Sequence, residues 1–237
     1  MSLMKLFDPF ARRPGTTTAQ FSDHWTNHHA EIAKGLPQIA RYVQSHRRAE
    51  AGPLVPGLGP TWCDGSSETW YDGLASFEEM VADPEVGGLL VDEPNFLDLD
   101  LPRSPVACAE HGLDDCGFDP ADRGVKVLVF ARGLRGRFAK VLGTDERVRL
   151  GRELGVSRHV LCPRIASSDE YGNPLGDHGA GVGDPWDGVI ELWWPSEEAR
   201  RSAAASDPIG FARLVTPEAI DPARSMGWLA DERVIIA

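Results

Sequence analysis

The apolar residues at the start of the chain follow first a strand pattern and then a helix pattern. Lys5 to Phe10 is a short, mostly apolar run that predicts a strand. Residues 17–20, Thr-Thr-Ala-Gln, form a capping box that predicts the start of a helix, and Gly35 and Pro37 end it. Inside this helix the apolar side chains recur at spacings of four, seven and four, which places them on one face toward a sheet. They are Phe21, Trp25, Ile32 and Leu36.

Three more strands and a second helical region follow in the same half. Strands are predicted for residues 39–47, 65–71 and 106–111, and a helix or a pair of short helices for residues 77–90. The resulting order, β-α-β-β-α-β, is that of the ferredoxin-like unit. Its four-stranded antiparallel sheet carries helices on one face and leaves the other face bare, so two such units can cover each other.

An internal repeat supplies the second unit. The segment 64–71 (DGSSETWY) is echoed by 187–194 (DGVIELWW), an offset of 123 residues. Four shorter echoes keep nearly that offset: Arg41-Tyr42-Val43 with Arg158-His159-Val160, Asp83-Pro84 with Asp207-Pro208, Arg103-Ser104 with Arg224-Ser225, and Glu110-His111 with Glu232-Arg233. We therefore predict an α+β chain of two tandem ferredoxin-like repeats, 4–111 and 125–237, joined by a linker at 112–124 and paired into one dimeric α/β barrel.

Charge and composition narrow the classes of partner. The formal net charge is −12 at pH 7 and no cluster of Lys and Arg interrupts the acidic background, so neither nucleic acid nor an anionic membrane surface is an expected partner. No apolar run is long enough to span a bilayer and no signal-peptide pattern is visible, so a cytoplasmic location is expected. The four cysteines are predicted to be reduced and structural. They are Cys63, Cys108, Cys116 and Cys162.

Histidines concentrate in the first repeat. His28 and His29 follow Trp25 by three and four residues, so both are predicted to face the buried side of the helix. With His24 and His46 they make up four of the seven histidines, which indicates a site, although a histidine on an apolar helix face also packs there without any function. His24 and His28 have the i, i+4 spacing of a metal-binding pair, but because no third ligand is visible we predict no metal and no cofactor.

The strands add further polar groups. Tyr42, Gln44 and His46 alternate onto one face of the second strand, and this mixture of polar and aromatic side chains suits a wet pocket better than a dry core.

The third strand of each repeat is predicted to place a glutamate and a tryptophan inside the barrel. In the second repeat the apolar, helix-side set is Ile190, Leu192 and Trp194. This leaves Glu191 and Trp193 inside, and the same register turns Glu68 and Trp70 inward. An enclosed carboxylate is expected to have a raised pKa and to exchange protons near neutral pH. Equally, Glu191 could pair with an interior Arg, Tyr or His and hold the two sheets in register. Glu68 is the stronger site candidate because its repeat has the histidines.

The second repeat lacks the polar groups of the first. Its first helix, at residues 145–154, has no histidine, and Pro163 and Arg233 stand where the first repeat has His46 and His111. Its pocket is therefore predicted to be lost. The glycine-rich stretch from 172 to 188 matches neither the phosphate-binding loop nor the dinucleotide fingerprint, and we interpret it as a long hairpin loop.

An ordered series of short motifs runs through the first repeat. It begins with Arg12-Arg13-Pro14-Gly15 and the helix motif from Trp25 to His29. It continues through Tyr42-Val43-Gln44-Ser45-His46, Asp64-Gly65 with Glu68 and Trp70, Phe96-Leu97-Asp98, and Glu110-His111. This series resembles the EthD family, and the second half resembles it more weakly through Asp187-Gly188, Glu191, Trp193 and Arg224-Ser225. The extra His28 and a first strand interrupted by Asp8-Pro9 depart from the family pattern.

The resemblance implies a dimeric α/β barrel and an oxidoreductase-type function in the degradation of small hydrophobic compounds. It also implies relatives among oxidases, cyclases and decarboxylases that need no cofactor. By this resemblance His29 is the helix histidine and His46 its strand partner. We expect His29 to act as general acid or base, with Glu68, Tyr42 and His46 converging on the same cavity. The expected ligand-binding residues are Trp25, His28, Gln44 and Trp70.

Other interpretations of the function stay open. The chain could hold a small hydrophobic or aromatic molecule, or support a monooxygenase partner, without doing chemistry. Haem binding has a histidine-on-helix precedent among barrel relatives, but the residues favour it less. The expected partner is a small hydrophobic or aromatic ligand, with the two repeats acting as a pseudo-dimer and a further homodimer left open.

Overall fold

The structure, a computed structural model, describes residues 3–49, 54–101, 103–115, 117–133, 138–165 and 186–237. Cys116 lies outside the described residues, and so does most of the glycine-rich stretch interpreted as a hairpin loop.

The first half has the element order that the sequence predicts. A strand precedes a helical region made of two short α-helices with a π-helical segment between them, and the predicted second helical region consists of two short helices. The strands are β1 (Met4–Phe10), β2 (Arg41–Arg47), β3 (Gly65–Tyr71), β4 (Val106–Ala109) and β5 (His111–Asp114). The helices are α1 (Thr18–Asp23), the π-helical segment (His24–His29), α2 (Ala30–Lys34), α3 (Gly73–Ala82), α4 (Val86–Asp92) and a 3₁₀ turn at Glu93–Asn95.

The second half repeats this order. Its strands are β6 (Val125–Ala131), β7 (Arg158–Pro163), β8 (Gly188–Trp194) and β9 (Met226–Ile236). Its helices are α5 (Phe138–Leu142), α6 (Asp145–Glu153), α7 (Glu197–Ser206), α8 (Pro208–Val215) and a 3₁₀ turn at Pro222–Arg224. Within the described part of the chain, no helix has the length and apolar character needed to cross a membrane.

The strands form one antiparallel sheet in which each half keeps the ferredoxin-like order. That order is β4-β1-β3-β2 in the first half and β9-β6-β8-β7 in the second. Strand β9 pairs with β6 through residues 226–230 and continues onto β2, while β5 continues from β4 and pairs with β7. Each half thus lends its last strand to the other half. The sheet curves into a nearly closed barrel, and the predicted dimeric α/β barrel is confirmed.

The start of the predicted linker is a strand instead of an irregular loop. Residues 111–114 form β5 because the edge of β7 offers them backbone hydrogen-bond partners, with His111 opposite Leu161. The division into repeats at 4–111 and 125–237 stays a prediction.

The two faces of the sheet have different surroundings. The outer face is covered by helices and packs apolar side chains such as Leu6, Val127 and Leu192 against them. The inner face lines the barrel, where Phe7, Phe130 and Trp228 pack together. Three described cysteines, Cys63, Cys108 and Cys162, are free and buried, as predicted.

Four buried charges lie at the centre of the barrel and form a closed ring, which we name the barrel ring. Lys5 and Glu68 come from the first half, and Lys126 and Glu191 come from the second. The Lys5 ammonium lies 2.9 Å from Glu68 Oε2 and 2.7 Å from Glu191 Oε2. The Lys126 ammonium lies 2.6 Å from Glu68 Oε1 and 2.6 Å from Glu191 Oε1. Each lysine therefore contacts one glutamate from each half.

A second pair of glutamates flanks the barrel ring in the same way in each half. Trp70 Nε1 donates to Glu110 Oε2 at 2.9 Å, and Trp193 Nε1 donates to Glu232 Oε2 at 2.7 Å. The Lys126 ammonium lies 3.1 Å from Glu232 Oε1. The prediction that Glu68, Trp70, Glu191 and Trp193 point into the barrel is confirmed.

The ion pairs of the barrel ring lower the pKa of Glu191, in contrast to the raised pKa that the sequence predicts. Burial by itself raises the pKa of this carboxyl group, but Lys126 and Lys5 outweigh burial and lower the pKa to about 2. Burial also lowers the pKa of Lys5, yet Glu191 and Glu68 raise it well above its ordinary value. Glu191 is thus ionised at neutral pH, and the expectation of a raised pKa was wrong for it because the paired lysines were not foreseen.

Removing one charge from the barrel ring is expected to destabilise the fold strongly. In Glu191→Ala, each of the two buried ammonium groups loses a carboxylate that lies within 2.7 Å and keeps Glu68 and one flanking glutamate, so the free energy of unfolding in urea should fall by about 3–5 kcal/mol. Glu79→Ala, on the exposed side of α3, is the control and should leave the free energy of unfolding nearly unchanged. A loss below about 1 kcal/mol in Glu191→Ala would show that the ring does not hold the halves together.

Candidate functional site

A cavity of about 80 Å³ lies in the first half, between the outer face of the sheet and the helices. Strands β1, β2 and β3 form its floor, and the π-helical segment, α2, α3 and α4 form its roof. The side chains that matter for chemistry are Asp8, Trp25, His29, Tyr42, Phe96 and Arg103. A volume of this size holds a few water molecules, since each needs roughly 10–15 Å³ on this scale.

The π-helical segment determines which histidines reach the cavity. The backbone N–H of Ala30 donates to the carbonyl of Trp25, which is the i to i+5 spacing of a wider helical turn. With this wider turn, the His29 side chain lies on the buried side of the helix and the His28 side chain faces solvent. The His29 side chain is 12% exposed and that of His28 is 64% exposed. The prediction that both face inward was therefore wrong for His28, because it assumed regular helical spacing.

His29 and Asp92 form a hydrogen-bonded pair at the cavity wall. His29 Nδ1 lies 2.9 Å from Asp92 Oδ2, and Asn95 Nδ2 donates to Asp92 Oδ1 at 3.1 Å. An ionised carboxylate can only accept, so Nδ1 carries the hydrogen and Nε2 presents its lone pair. Among the described residues, Nε2 has no hydrogen-bond partner. Burial lowers the pKa of His29, although the hydrogen bond and charge of Asp92 raise it in part.

A buried ion triplet forms the polar wall of the same cavity. Arg103 donates from Nε to Asp8 Oδ1 at 3.3 Å and from Nη1 to Glu93 Oε2 at 2.8 Å, with a further contact from Nη2 to Asp8. Burial lowers the pKa of Arg103, but Asp8 and Glu93 outweigh burial and raise it. Sequence reasoning missed Asp92, Glu93 and Arg103. The signal available was Asp8, a charge between the apolar residues Phe7 and Pro9 in a buried strand.

Tyr42 lines the cavity and is held from two sides. Trp25 Nε1 donates to the Tyr42 hydroxyl at 2.8 Å, and Gln44 Nε2 donates to it at 3.1 Å and to the Trp25 carbonyl at 2.8 Å. Burial raises the pKa of Tyr42. Its hydroxyl is therefore a neutral, fixed group next to the cavity.

His46 lies behind Trp25 instead of in the cavity. Its ring centroid is 4.3 Å from that of Trp25, and its Nδ1 and Nε2 lie 3.2 Å from Ser22 Oγ and 3.0 Å from Gln44 Oε1. Burial, helped by the charge of Arg233, lowers its pKa to about 3. The imidazole is neutral and supports Trp25.

The predicted convergence of His29, Tyr42, His46 and Glu68 on one cavity was wrong. Tyr42 stands opposite Thr69 in the β2–β3 ladder and Glu68 stands opposite Val43, so Tyr42 and Glu68 point to opposite faces of the sheet. Tyr42, Gln44 and His46 do share a face, but it is the face under the helices. Glu68 and Trp70 belong to the barrel interior, where Ser45 donates to Glu68.

In the second half, apolar side chains and one buried polar pair, Arg147 with His159, fill the corresponding space between sheet and helices. The Trp194 and Phe211 rings pack in a tilted arrangement with centroids 5.6 Å apart, and Trp194 Nε1 donates to the Leu154 carbonyl at 2.8 Å. Trp193 lies inside the barrel, on the side that strand alternation predicts. Two wider depressions, of about 190 and 370 Å³, lie outside between α6 and α8, where Glu146, Leu150 and Arg213 contribute to both.

The chain is similar to known proteins in two respects, the sequence pattern of one domain and the overall fold. Residues 13–100 match the family model of the EthD domain. The fold is similar to that of a proposed monooxygenase from Fusobacterium nucleatum subsp. nucleatum, with 9% identity, a TM-score of 0.54, and coverage of 98% of this chain and 93% of that chain. It is similar to an anthrone oxidase-like protein with 11% identity, a TM-score of 0.57, and coverage of 99% and 94%.

A proposed chlorite dismutase is similar with 10% identity, a TM-score of 0.52, and coverage of 100% and 97%. No curated protein sequence is significantly similar to the chain. At such low identities the structural similarity shows a shared fold, which extends over both halves.

A double-mutant cycle tests the hydrogen bond that fixes Tyr42. Tyr42→Phe leaves the buried Trp25 Nε1 without its acceptor and should lower the free energy of unfolding by about 1–3 kcal/mol. Trp25→Phe also removes ring volume, so the cycle with the double variant isolates the shared hydrogen bond. The double variant should be less destabilised than the sum of the single variants. Strict additivity in urea unfolding would show that the two groups do not interact.

Proposed function

We propose that the chain is an oxidoreductase that needs no organic cofactor, because residues 13–100 match the family model of the EthD domain and the chain folds as a dimeric α/β barrel. It acts on a small hydrophobic or aromatic compound. The reaction takes place in the cavity between sheet and helices of the first half, with His29 as general base.

The observation that carries this proposal is the pairing of His29 with Asp92 at the cavity wall. A carboxylate on Nδ1 fixes the tautomer and orientation of an imidazole, so that its Nε2 can accept a proton from a bound molecule. Asp92 is therefore the orienting partner of His29 in this proposal. Tyr42 remains a candidate for positioning an oxygen of the substrate.

The cavity walls indicate the substrate class. Phe10, Phe96 and Met80 provide apolar surface, and the Arg103 ion triplet provides a charged edge. An aromatic compound with one acidic C–H or O–H group fits this combination. At about 80 Å³ the cavity is smaller than the roughly 300–1,000 Å³ of typical ligand sites, so binding requires α3 and α4 to move away from the sheet.

Dioxygen is the oxidant in the proposed reaction. His29 Nε2 takes a proton from the substrate, and the electron pair left on the resulting anion is transferred to dioxygen. When a CH₂ group is oxidised to a carbonyl, one atom of dioxygen becomes the carbonyl oxygen. The other atom of dioxygen leaves as water, together with the two hydrogens of the CH₂ group. The fold shared with an anthrone oxidase-like protein and a proposed monooxygenase supports this class of reaction.

A haem fits the same cavity less well. A histidine oriented by a carboxylate is also the arrangement of an axial haem ligand, and the fold is shared with a proposed chlorite dismutase. A haem is much larger than a small aromatic compound, so the cavity of about 80 Å³ would have to open much further to hold it, and the Arg103 ion triplet occupies the cavity wall. General-base chemistry on a small molecule therefore agrees better with the structure.

Oxygen uptake with anthrone and a set of hydroxylated aromatic compounds tests the proposal. With a compound that is turned over, His29→Gln should lower kcat/KM by about 100-fold or more, because general bases contribute 10²- to 10⁴-fold. The melting temperature should change little. His111→Gln, at an exposed histidine on β5, is the control and should retain full activity.

Two outcomes would contradict the proposal. Full activity in His29→Gln would place the chemistry elsewhere. Binding of these compounds without oxygen uptake would favour the alternative of a non-catalytic binding or accessory protein.

A further inference from the structure

Two more histidines meet Asp92 on the side away from the cavity. His24 Nε2 lies 2.9 Å from Asp92 Oδ1, and His28 Nε2 lies 3.4 Å from the same oxygen. The three ligand atoms all lie within 4.8 Å of one another. Asp92 is therefore the third group that the sequence pattern of His24 and His28 lacked.

We propose that His24, His28 and Asp92 bind a divalent first-row transition-metal ion, for which Zn²⁺ is the natural probe. Two imidazoles and a carboxylate are ligands that suit this class of ion. In a tetrahedral zinc site with ligand distances of about 2.0–2.1 Å, neighbouring ligand atoms lie about 3.3 Å apart. The two separations from Asp92 Oδ1, 2.9 and 3.4 Å, bracket that value, and the two imidazole nitrogens lie within 4.8 Å of each other, so binding an ion requires the exposed His28 side chain to adjust.

The exposure of the three side chains fits an ion that is open to solvent on one side. Asp92 is 4% exposed, His24 is 28% exposed and His28 is 64% exposed. Asp92 and His24 form the fixed base of the site, and His28 closes it from the surface. Three protein ligands leave the fourth position to water.

The surroundings already orient the ligands. The His24 ring stacks on Phe96 with a centroid distance of 5.0 Å, and Asn95 donates to Asp92 Oδ1 at 3.1 Å. Because a carboxylate oxygen has two lone pairs, Oδ1 can accept from Asn95 and bind an ion at the same time. Hydrogen-bonded supports of this kind hold metal ligands in place.

Asp92 lies between the proposed ion and the cavity, so the ion would be near the cavity but outside it. Oδ1 contacts His24 and His28, while Oδ2 contacts His29 at 2.9 Å and also lies 3.1 Å from His24 Nε2. An ion on Oδ1 would thus be joined to His29 through one carboxylate. The proposed metal site does not depend on the proposed function, since its ligand atoms meet whether or not the cavity is catalytic.

The test uses tag-free protein freed of metal with a chelator. Titration with Co²⁺, followed by visible absorption, and displacement by Zn²⁺ should show one ion per chain. His28→Gln should weaken Zn²⁺ binding by at least about tenfold, and Asp92→Asn should do the same. His28 is exposed, so its replacement leaves the fold intact, and His111→Gln should bind like the parent protein.

Three results would overturn the proposal. Absence of stoichiometric binding to the parent protein would exclude the site. Unchanged affinity in His28→Gln would place the ion elsewhere. Unchanged affinity in Asp92→Asn would reduce the site to a weak histidine pair without the carboxylate.

Discussion

The barrel ring of Lys5, Glu68, Lys126 and Glu191 is the constraint on which the rest of the structure depends. Four charges lie in a dry interior, and each lysine contacts a glutamate from its own half and one from the other half. Separating the halves would leave each with one buried ion pair facing water and half of its partners lost. Breaking a buried pair costs far more than forming it contributes, so the ring favours one arrangement of the two sheets. The exchange of β9 and β5 between the halves fixes the same arrangement through backbone hydrogen bonds.

Because the barrel ring fills the inner face of the sheet, the outer face, under the helices, is the one that can hold a ligand-binding site. In the second half that face is packed mainly with apolar side chains such as Trp194, around the buried pair of Arg147 and His159. In the first half it carries Asp8 and Tyr42 beside a cavity. The π-helical segment then adds His29 to the same space. Buried polar groups are costly unless they are paired, and here they are paired by Asp92, Arg103 and Trp25. The same pairing gives His29 a defined orientation, which a proton acceptor needs.

The fold followed from the sequence because its signals are local and repeated. Hydrophobic spacing, the capping box at Thr17 and the echo of 64–71 in 187–194 each report on backbone structure near the residues concerned. The direction of Glu68 and Glu191 followed from strand alternation. Alternation alone cannot say which face is inside, and this is why Tyr42 and His46 were placed in the barrel. Asp92 and Arg103 reach the site through tertiary packing across long sequence separations, and no spacing rule connects them to His29.

The central claim is that the two faces of one sheet have separate tasks, with stability inside the barrel and ligand binding under the helices of the first half. A crystal structure of the protein soaked with anthrone tests this directly. The account predicts the ligand between Phe96 and Tyr42, with His29 Nε2 within hydrogen-bond distance of it and the barrel ring unchanged. A ligand inside the barrel beside Lys5 and Glu68, or bound between α6 and α8 of the second half, would contradict it.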